Sequence, residues 1–128
     1  MAGKRILIVD DDPDLVEAVS MLLEAEGMVP LAAYGGIEGL EKARTENPDL
    51  IILDVMMPDK DGYAVAKELN KDEKLKKIPL VMLSAVTEKM AETHYAPHAA
   101  AKELVADDWF DKPVDPPALV SRVKELLG

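Results

Sequence analysis

Residues 49–62 read Asp49-Leu50-Ile51-Ile52-Leu53-Asp54-Val55-Met56-Met57-Pro58-Asp59-Lys60-Asp61-Gly62. Four consecutive apolar residues stand between two aspartates. A run this short and this uniformly apolar reads as a strand covered on both faces, the habit of parallel sheets packed between helices. Working outward, Ile6-Leu7-Ile8-Val9 and Leu80-Val81-Met82-Leu83 repeat the pattern. Amphipathic stretches separate these runs, and no linker, repeat or low-complexity tract interrupts them. The chain therefore reads as βα repeated five times, with strands at Arg5–Val9, Met28–Ala33, Leu50–Leu53, Leu80–Leu83 and a short one near Trp109–Phe110.

The first helix is written in its ends and its period. Asp12 is a candidate N-cap, Pro13 takes the first helical position, Leu15, Val19, Leu22 and Leu23 recur at helical spacing, and Gly27 follows the end. Further helices are predicted at Gly36–Glu46, stopped before Pro48, at Gly62–Asn70, and at Pro116–Leu127 with Leu119, Val123 and Leu126 on one face. The segment Ala85–Ala106 looks helical but carries Pro97, which costs about 3 kcal/mol inside a helix. Two helical pieces are expected there, the second starting near Pro97.

The 128 residues include 15 basic and 25 acidic side chains, for a net charge of −10, with 48% hydrophobic residues and no cysteine. This length excludes two packed domains and suffices for a core that needs no disulfide or structural metal. Disulfide and thiolate chemistry are excluded outright. The first apolar run is too short for a signal peptide or a membrane span, so the expected address is the cytoplasm. The negative charge disfavours direct nucleic-acid binding and anionic membranes, and favours divalent cations and basic partner surfaces.

Ligands of such a sheet gather at the carboxyl ends of its strands. Strand one ends in Asp10-Asp11-Asp12, strand three in Asp54, strand four in Ser84 and strand five in Asp111-Lys112-Pro113. Neighbouring strands would bring these together as three carboxylates, a hydroxyl and an ammonium. Carboxylates so close raise one another's pKa unless a cation is present. Magnesium suits the set, because it takes hard oxygen ligands and is commonly shared between carboxylates and phosphate oxygens. Lysine and a hydroxyl beside it would neutralise and bind the remaining phosphoryl oxygens, which names phosphoryl transfer. An aspartate can accept a phosphoryl group as an acyl phosphate. Asp54 is the candidate, since it ends the central strand and opens directly into a loop.

These stretches, with Met82-Leu83-Ser84-Ala85 and Trp109-Phe110-Asp111-Lys112-Pro113, in this order and spacing, resemble the receiver domains of two-component response regulators over essentially the whole chain. The resemblance implies a flavodoxin-like (βα)5 three-layer sandwich, its five-stranded parallel sheet in the order 2-1-3-4-5. It implies that Asp54 is the phosphoacceptor and that Mg2+ (or Mn2+) is bound by Asp11 directly, by Asp10 through water, by Asp54, and by the backbone carbonyl of Met56. Ser84 would hydrogen-bond one phosphoryl oxygen, and Lys112 would pair with another beside a cis bond to Pro113. Trp109 stands at the switch aromatic, usually Tyr or Phe. The donor would be a histidine kinase or a histidine phosphotransfer protein, and the responding face would be the fourth helical segment, the fifth strand and the last helix. The interval from Ser84 to Trp109 is several residues longer than in the family. Met56 and Val86, the second residues after Asp54 and Ser84, are apolar and cannot orient a water, so slow self-dephosphorylation is expected. A single receiver domain over residues 1–128 with no output domain is expected too.

Blander and rival readings compete with these. Asp12 fits a helix cap, and Trp109 fits half-buried packing whatever else it does. Asp59, Asp61, Gly62 and Glu68 fall at calcium-loop positions three, five, six and twelve, but position one is Met57 and a strand precedes it. His94 and His98 stand four apart with Pro97 between them, which disturbs the helix that metal ligation at this spacing assumes. A haloacid-dehalogenase-like phosphatase would want an acid at Met56. A flavin or nucleotide carrier would want glycines where Asp10-Asp11-Asp12 stand. A phosphate-independent receiver-like binding module would not need the complete residue set.

Overall fold

The computed structural model describes residues 3–85 and 106–128. Five parallel strands, β1 (Arg5–Val9), β2 (Val29–Ala33), β3 (Leu50–Asp54), β4 (Leu80–Ser84) and β5 (Asp108–Asp111), form one sheet in the order β2-β1-β3-β4-β5. The described helices are α1 (Pro13–Ala25), α2 (Gly36–Thr45), α3 (Gly62–Lys71) and α4 (Pro116–Leu127), with a single 3-10 turn at Leu75–Lys77. This is the parallel sheet that the apolar runs predict and the flavodoxin-like sandwich that the resemblance implies. The expected helical pieces around Pro97, and with them Val86, His94 and His98, lie outside the described residues.

Alternation along the buried strands divides the core in two. Leu7, Val9, Ile51, Leu53 and Met82 pack on one face with Leu40 and Ala43 of α2 and Val65, Ala66 and Leu69 of α3. Ile6, Ile8, Leu50, Ile52, Val81 and Leu83 pack on the other with Val16, Val19 and Leu23 of α1 and Leu119, Val120 and Val123 of α4. All the residues of β3 and β4 are buried, which is why those runs show no polar alternation. Burying each of the Val, Leu, Ile and Met side chains among them contributes about 1.5–3 kcal/mol. The central strands form where burial can be complete, while the edge strands β2 and β5 stay partly exposed.

Helix ends match the chain's punctuation. Asp12 caps α1, its Oδ1 accepting the Asp14 and Leu15 amides at 3.0 and 3.4 Å, and Pro13 opens the helix. The buried stripe of α1 is Val16, Val19 and Leu23; Leu15 and Leu22 pack at its margin. Strand β2 begins at Val29, one residue later than expected, because the Met28 amide is taken by the Leu23 carbonyl as α1 unwinds. Strands β3, β4 and β5 each reach a residue or more beyond the apolar run, so that Asp54, Ser84 and Asp111 still belong to the sheet. No helix among the described residues is long and apolar enough to cross a membrane.

Candidate functional site

Register places the polar strand ends side by side. Val9 pairs with Leu53, Asp54 with Leu83 and Ser84 with Asp111, so Asp10, Asp54, Ser84 and Lys112 emerge at one rim of the sheet. Asp10 is fully buried, Asp54 is 1% exposed and Ser84 3%. Asp11 is exposed at the mouth. One carboxylate oxygen from each of Asp10, Asp11 and Asp54 lies within 4.8 Å of the others.

Lys112 is held by the chain after β5, its amide donating to the Ser84 carbonyl at 2.8 Å, and the Lys112–Pro113 bond is cis. The Lys112 Nζ lies 3.0 Å from Asp10 Oδ2 and 3.2 Å from Asp54 Oδ1. Asp10 Oδ1 accepts the Asp12 amide at 2.9 Å, and Asp54 Oδ1 accepts the Met56 amide at 3.4 Å. Among the described residues, Asp54 Oδ2 has no hydrogen-bond donor, while Asp10 Oδ2 faces the Lys112 ammonium. A buried carboxylate oxygen without a donor costs about 1–3 kcal/mol or more.

The electrostatics follow. Burial first, and then the Asp10 charge, push the Asp54 carboxyl up to about 7, although Lys112 and the Met56 amide pull the other way. Burial works to lower the pKa of Lys112, but its contacts with Asp10 and Asp54 overcome this and hold the ammonium above its usual range. One lysine does not balance three acids. The donor set is all oxygen, Asp54 Oδ2 has no donor among the described residues, and a hard divalent cation is what such a set fits. Asp10, Asp11 and Asp54 could hold it.

The loop after β3 is closely built. The Gly62 amide donates to the Val55 carbonyl at 2.7 Å, and a Cβ on Gly62 would collide with the Asp54 carbonyl, so only glycine permits this closure. Met56 is 61% exposed and Met57 is buried. Asp61 caps α3 through the Ala64 amide at 2.9 Å. Asp59 reaches out of the loop, its two oxygens accepting the Gly36 and Ile37 amides of α2 at 3.0 and 3.1 Å. In the sequence Asp59 stands out only as a calcium-loop position. No local signal names its actual partners, which lie more than twenty residues upstream.

Of the residues expected at the site, Asp10, Asp11, Asp54 and Lys112 are gathered, and Ser84 stands next to the Asp54 strand with its hydroxyl 3.4 Å from the Ala85 carbonyl. Trp109 sits apart from the acids: it is half-buried against the α3 side of the core, its ring centroid 6.3 Å from that of Tyr63.

Comparison with known proteins agrees with this construction. The family model for the response regulator receiver domain matches residues 6–124. The chain is 40% identical over 125 residues to the alkaline phosphatase synthesis transcriptional regulatory protein PhoP of Bacillus subtilis, covering 98% of this chain and 49% of that protein. It is 35% identical over 124 residues to Protein PilH of Pseudomonas aeruginosa, covering 97% of this chain and 98% of PilH. The chain thus spans about half the length of most of the curated relatives it matches, and nearly all of PilH. Among solved structures, the CheY-like response regulator receiver domain protein from Methanospirillum hungatei superposes with a TM-score of 0.82 at 29% identity, covering 98% of this chain and 94% of that one. The receiver domain of the Francisella response regulator 1452 gives 0.81 at 29% identity, with coverage of 98% and 97%. With the matched fold, the paired strand ends and full-length similarity in hand, the chain belongs to the response regulator receiver domains of two-component systems.

Proposed function

We propose that this receiver domain takes a phosphoryl group onto Asp54 from a histidine kinase or histidine phosphotransfer protein, in the cytoplasm, and signals through the resulting change of conformation. The observation that carries the reading is the Asp54 carboxylate itself: buried, beside Asp10 and Lys112, with one oxygen lacking a donor among the described residues. A structural aspartate would have its oxygens satisfied.

The step balances as a displacement at phosphorus. An Asp54 oxygen forms the new bond to phosphorus, and the bond from phosphorus to the donor nitrogen breaks, with its electron pair leaving on the imidazole. Asp54 must be ionised to attack. Bound at Asp10, Asp11, Asp54 and the Met56 carbonyl, Mg2+ or Mn2+ would supply the positive charge that ionises the acids and screens the incoming phosphoryl oxygens. Lys112, already between Asp10 and Asp54, is placed to neutralise a further phosphoryl oxygen, and the Ser84 hydroxyl to donate to another. The same groups let the domain phosphorylate itself from a small phosphodonor. Met56 carries no group that could direct a hydrolytic water, which supports slow self-dephosphorylation. A phosphatase of the dehalogenase type finds no second acid there.

Phosphorylation can shift the balance of two conformations only through contacts that differ between them. The proposed responders are Ser84 and Trp109, and the proposed output face is the fourth helical segment expected from the sequence, β5 and the last helix, α4. Acetyl phosphate with Mg2+ is expected to label the protein at Asp54, and Asp54→Ala to remove the label. Undiminished labelling of that variant would refute the assignment.

A further inference from the structure

We propose that Asp59 is a positioning residue for the metal-binding loop: seated on the Gly36 and Ile37 amides of α2, its carboxylate fastens the turn that carries the Met56 carbonyl. The inference rests on the reading of this rim as a magnesium-dependent phosphoacceptor site.

The loop from Val55 to Asp61 joins the phosphoacceptor strand to α3. At its near end it is held by the Met56 amide on Asp54 and the Gly62 amide on the Val55 carbonyl. The Met57 side chain is buried, while Met56, Pro58 and Asp59 face solvent. On the far side the fastening is Asp59, which makes two hydrogen bonds to a helix distant in sequence. Helix α2 has Gly35 at its N-cap, with no capping side chain there, so the orphan amides of its first turn are met by the loop instead. Those amides hold the Asp59 carboxyl below the ordinary aspartate range, the bond to Ile37 contributing most and that to Gly36 next.

The contact is shaped from both sides. A Cβ on Gly35 would lie 2.9 Å from Asp59 Oδ2, and one on Gly36 would collide with the Lys60 carbonyl. Glycines therefore let the loop lie directly on the first turn of α2. Lys60 adds an ion pair to Glu68 of α3, so the loop is bracketed between two helices. A ligand carbonyl on a loop needs such outer support, because freedom in its position must be lost when the cation binds.

Calorimetric titration with Mg2+ tests this in the wild type, Asp59→Ala, Asp59→Asn and Glu38→Gln. Glu38 lies on the same helix turn and accepts the Tyr34 amide at 2.8 Å, so its change removes the same charge without touching the loop. Asp59→Ala is expected to weaken Mg2+ binding about tenfold, and Asp59→Asn, which keeps the shape and one acceptor, about threefold. Glu38→Gln is expected to stay within a factor of two. Self-phosphorylation of Asp59→Ala should need correspondingly more Mg2+ for half its maximal rate while reaching the wild-type maximum at saturation. Wild-type affinity in Asp59→Ala overturns the proposal. So does equal weakening in Glu38→Gln, which would mean long-range charge, or a lowered maximum with unchanged Mg2+ demand. If Asp59→Ala fails to fold, Asp59→Asn decides by the same criteria. A wild type that binds no Mg2+ and takes no label overturns the underlying reading itself, a result distinct from all of these.

Discussion

Aspartates stand at both ends of this sheet, and the two ends treat them oppositely. At the amino ends, Asp49 and Asp107 act as staples. The Asp49 amide donates to the Arg5 carbonyl at 2.7 Å while its Oδ2 accepts the Arg5 amide at 2.8 Å, and Asp107 makes the same pair of bonds with Leu80 at 2.7 and 2.8 Å. At the carboxyl ends, Asp10 and Asp54 are buried together and share Lys112, and among the described residues Asp54 Oδ2 has no donor. The parallel sheet explains the placement, since the loops at its carboxyl edge are where ligands are held. A carboxylate satisfied by backbone amides stabilises the fold; one left short of donors costs stability that only a cation or a proton restores.

The largest test of that contrast is Asp54→Asn in metal-free buffer at pH 8. An amide keeps the oxygen that faces Lys112 and removes a buried charge beside Asp10, so the variant is expected to be more stable than the wild type by about 2–3 kcal/mol. Urea unfolding with a chelator measures it. A loss of stability instead would mean that Asp54 is a staple like Asp49, and the contrast would fail.

A somewhat smaller effect concerns pH. Asp54 titrates at about 7 in the folded metal-free protein and near 3.8 when unfolded. The folded state therefore binds this proton more tightly. The stabilisation is complete below pH 3.8 and is lost as pH rises through 7. Between pH 8 and pH 5, acidification should add about 2 kcal/mol to the wild type relative to Asp54→Asn. Taking the difference between the two proteins cancels the titrating groups that are not in contact with Asp54. Saturating Mg2+ should flatten the difference, because the cation then supplies what the proton did.

What the chain spelled out, and what it did not, follows the same division. The strands β1, β3 and β4 were legible because full burial leaves no polar residue inside the run, and α1 because Asp12, Pro13 and Gly27 bracket it. The acids at the rim were legible as well, since a polar residue that ends a buried strand has one place to go. The fastening by Asp59 was not. Its geometry depends on how α2 packs against the loop after β3, a relation that hydrophobic period and local motif do not encode. The staples at Asp49 and Asp107 escaped for a related reason: an aspartate just before a strand looks like any turn residue until register shows which amide it faces. Trp109 read correctly as half-buried packing, but its neighbour Tyr63 is set by the tertiary fold.

The staples give the next prediction. Asp49→Ala or Asp107→Ala leaves a strand-end amide without its acceptor and should cost about 1–2 kcal/mol in urea unfolding, with Mg2+ affinity unchanged. A change in Mg2+ affinity comparable to that of a rim aspartate would erase the distinction between the two ends.

The smallest effect belongs to the pair between Asp108 of β5 and Arg122 of α4, 2.7 Å apart with both side chains about a third exposed. It ties the last strand to the last helix and in a drawing looks as strong as the Lys112 contacts. Water still reaches both groups, so attraction is screened while two side chains must be ordered, and exposed pairs contribute little for that reason. Arg122→Met keeps most of the aliphatic stem and removes the charge. It is expected to shift stability by no more than about 0.5 kcal/mol, and by less at high salt. A loss of several kcal/mol would place this pair with the buried groups of the rim, and burial would then no longer be what separates the rim charges of this domain from those of its surface.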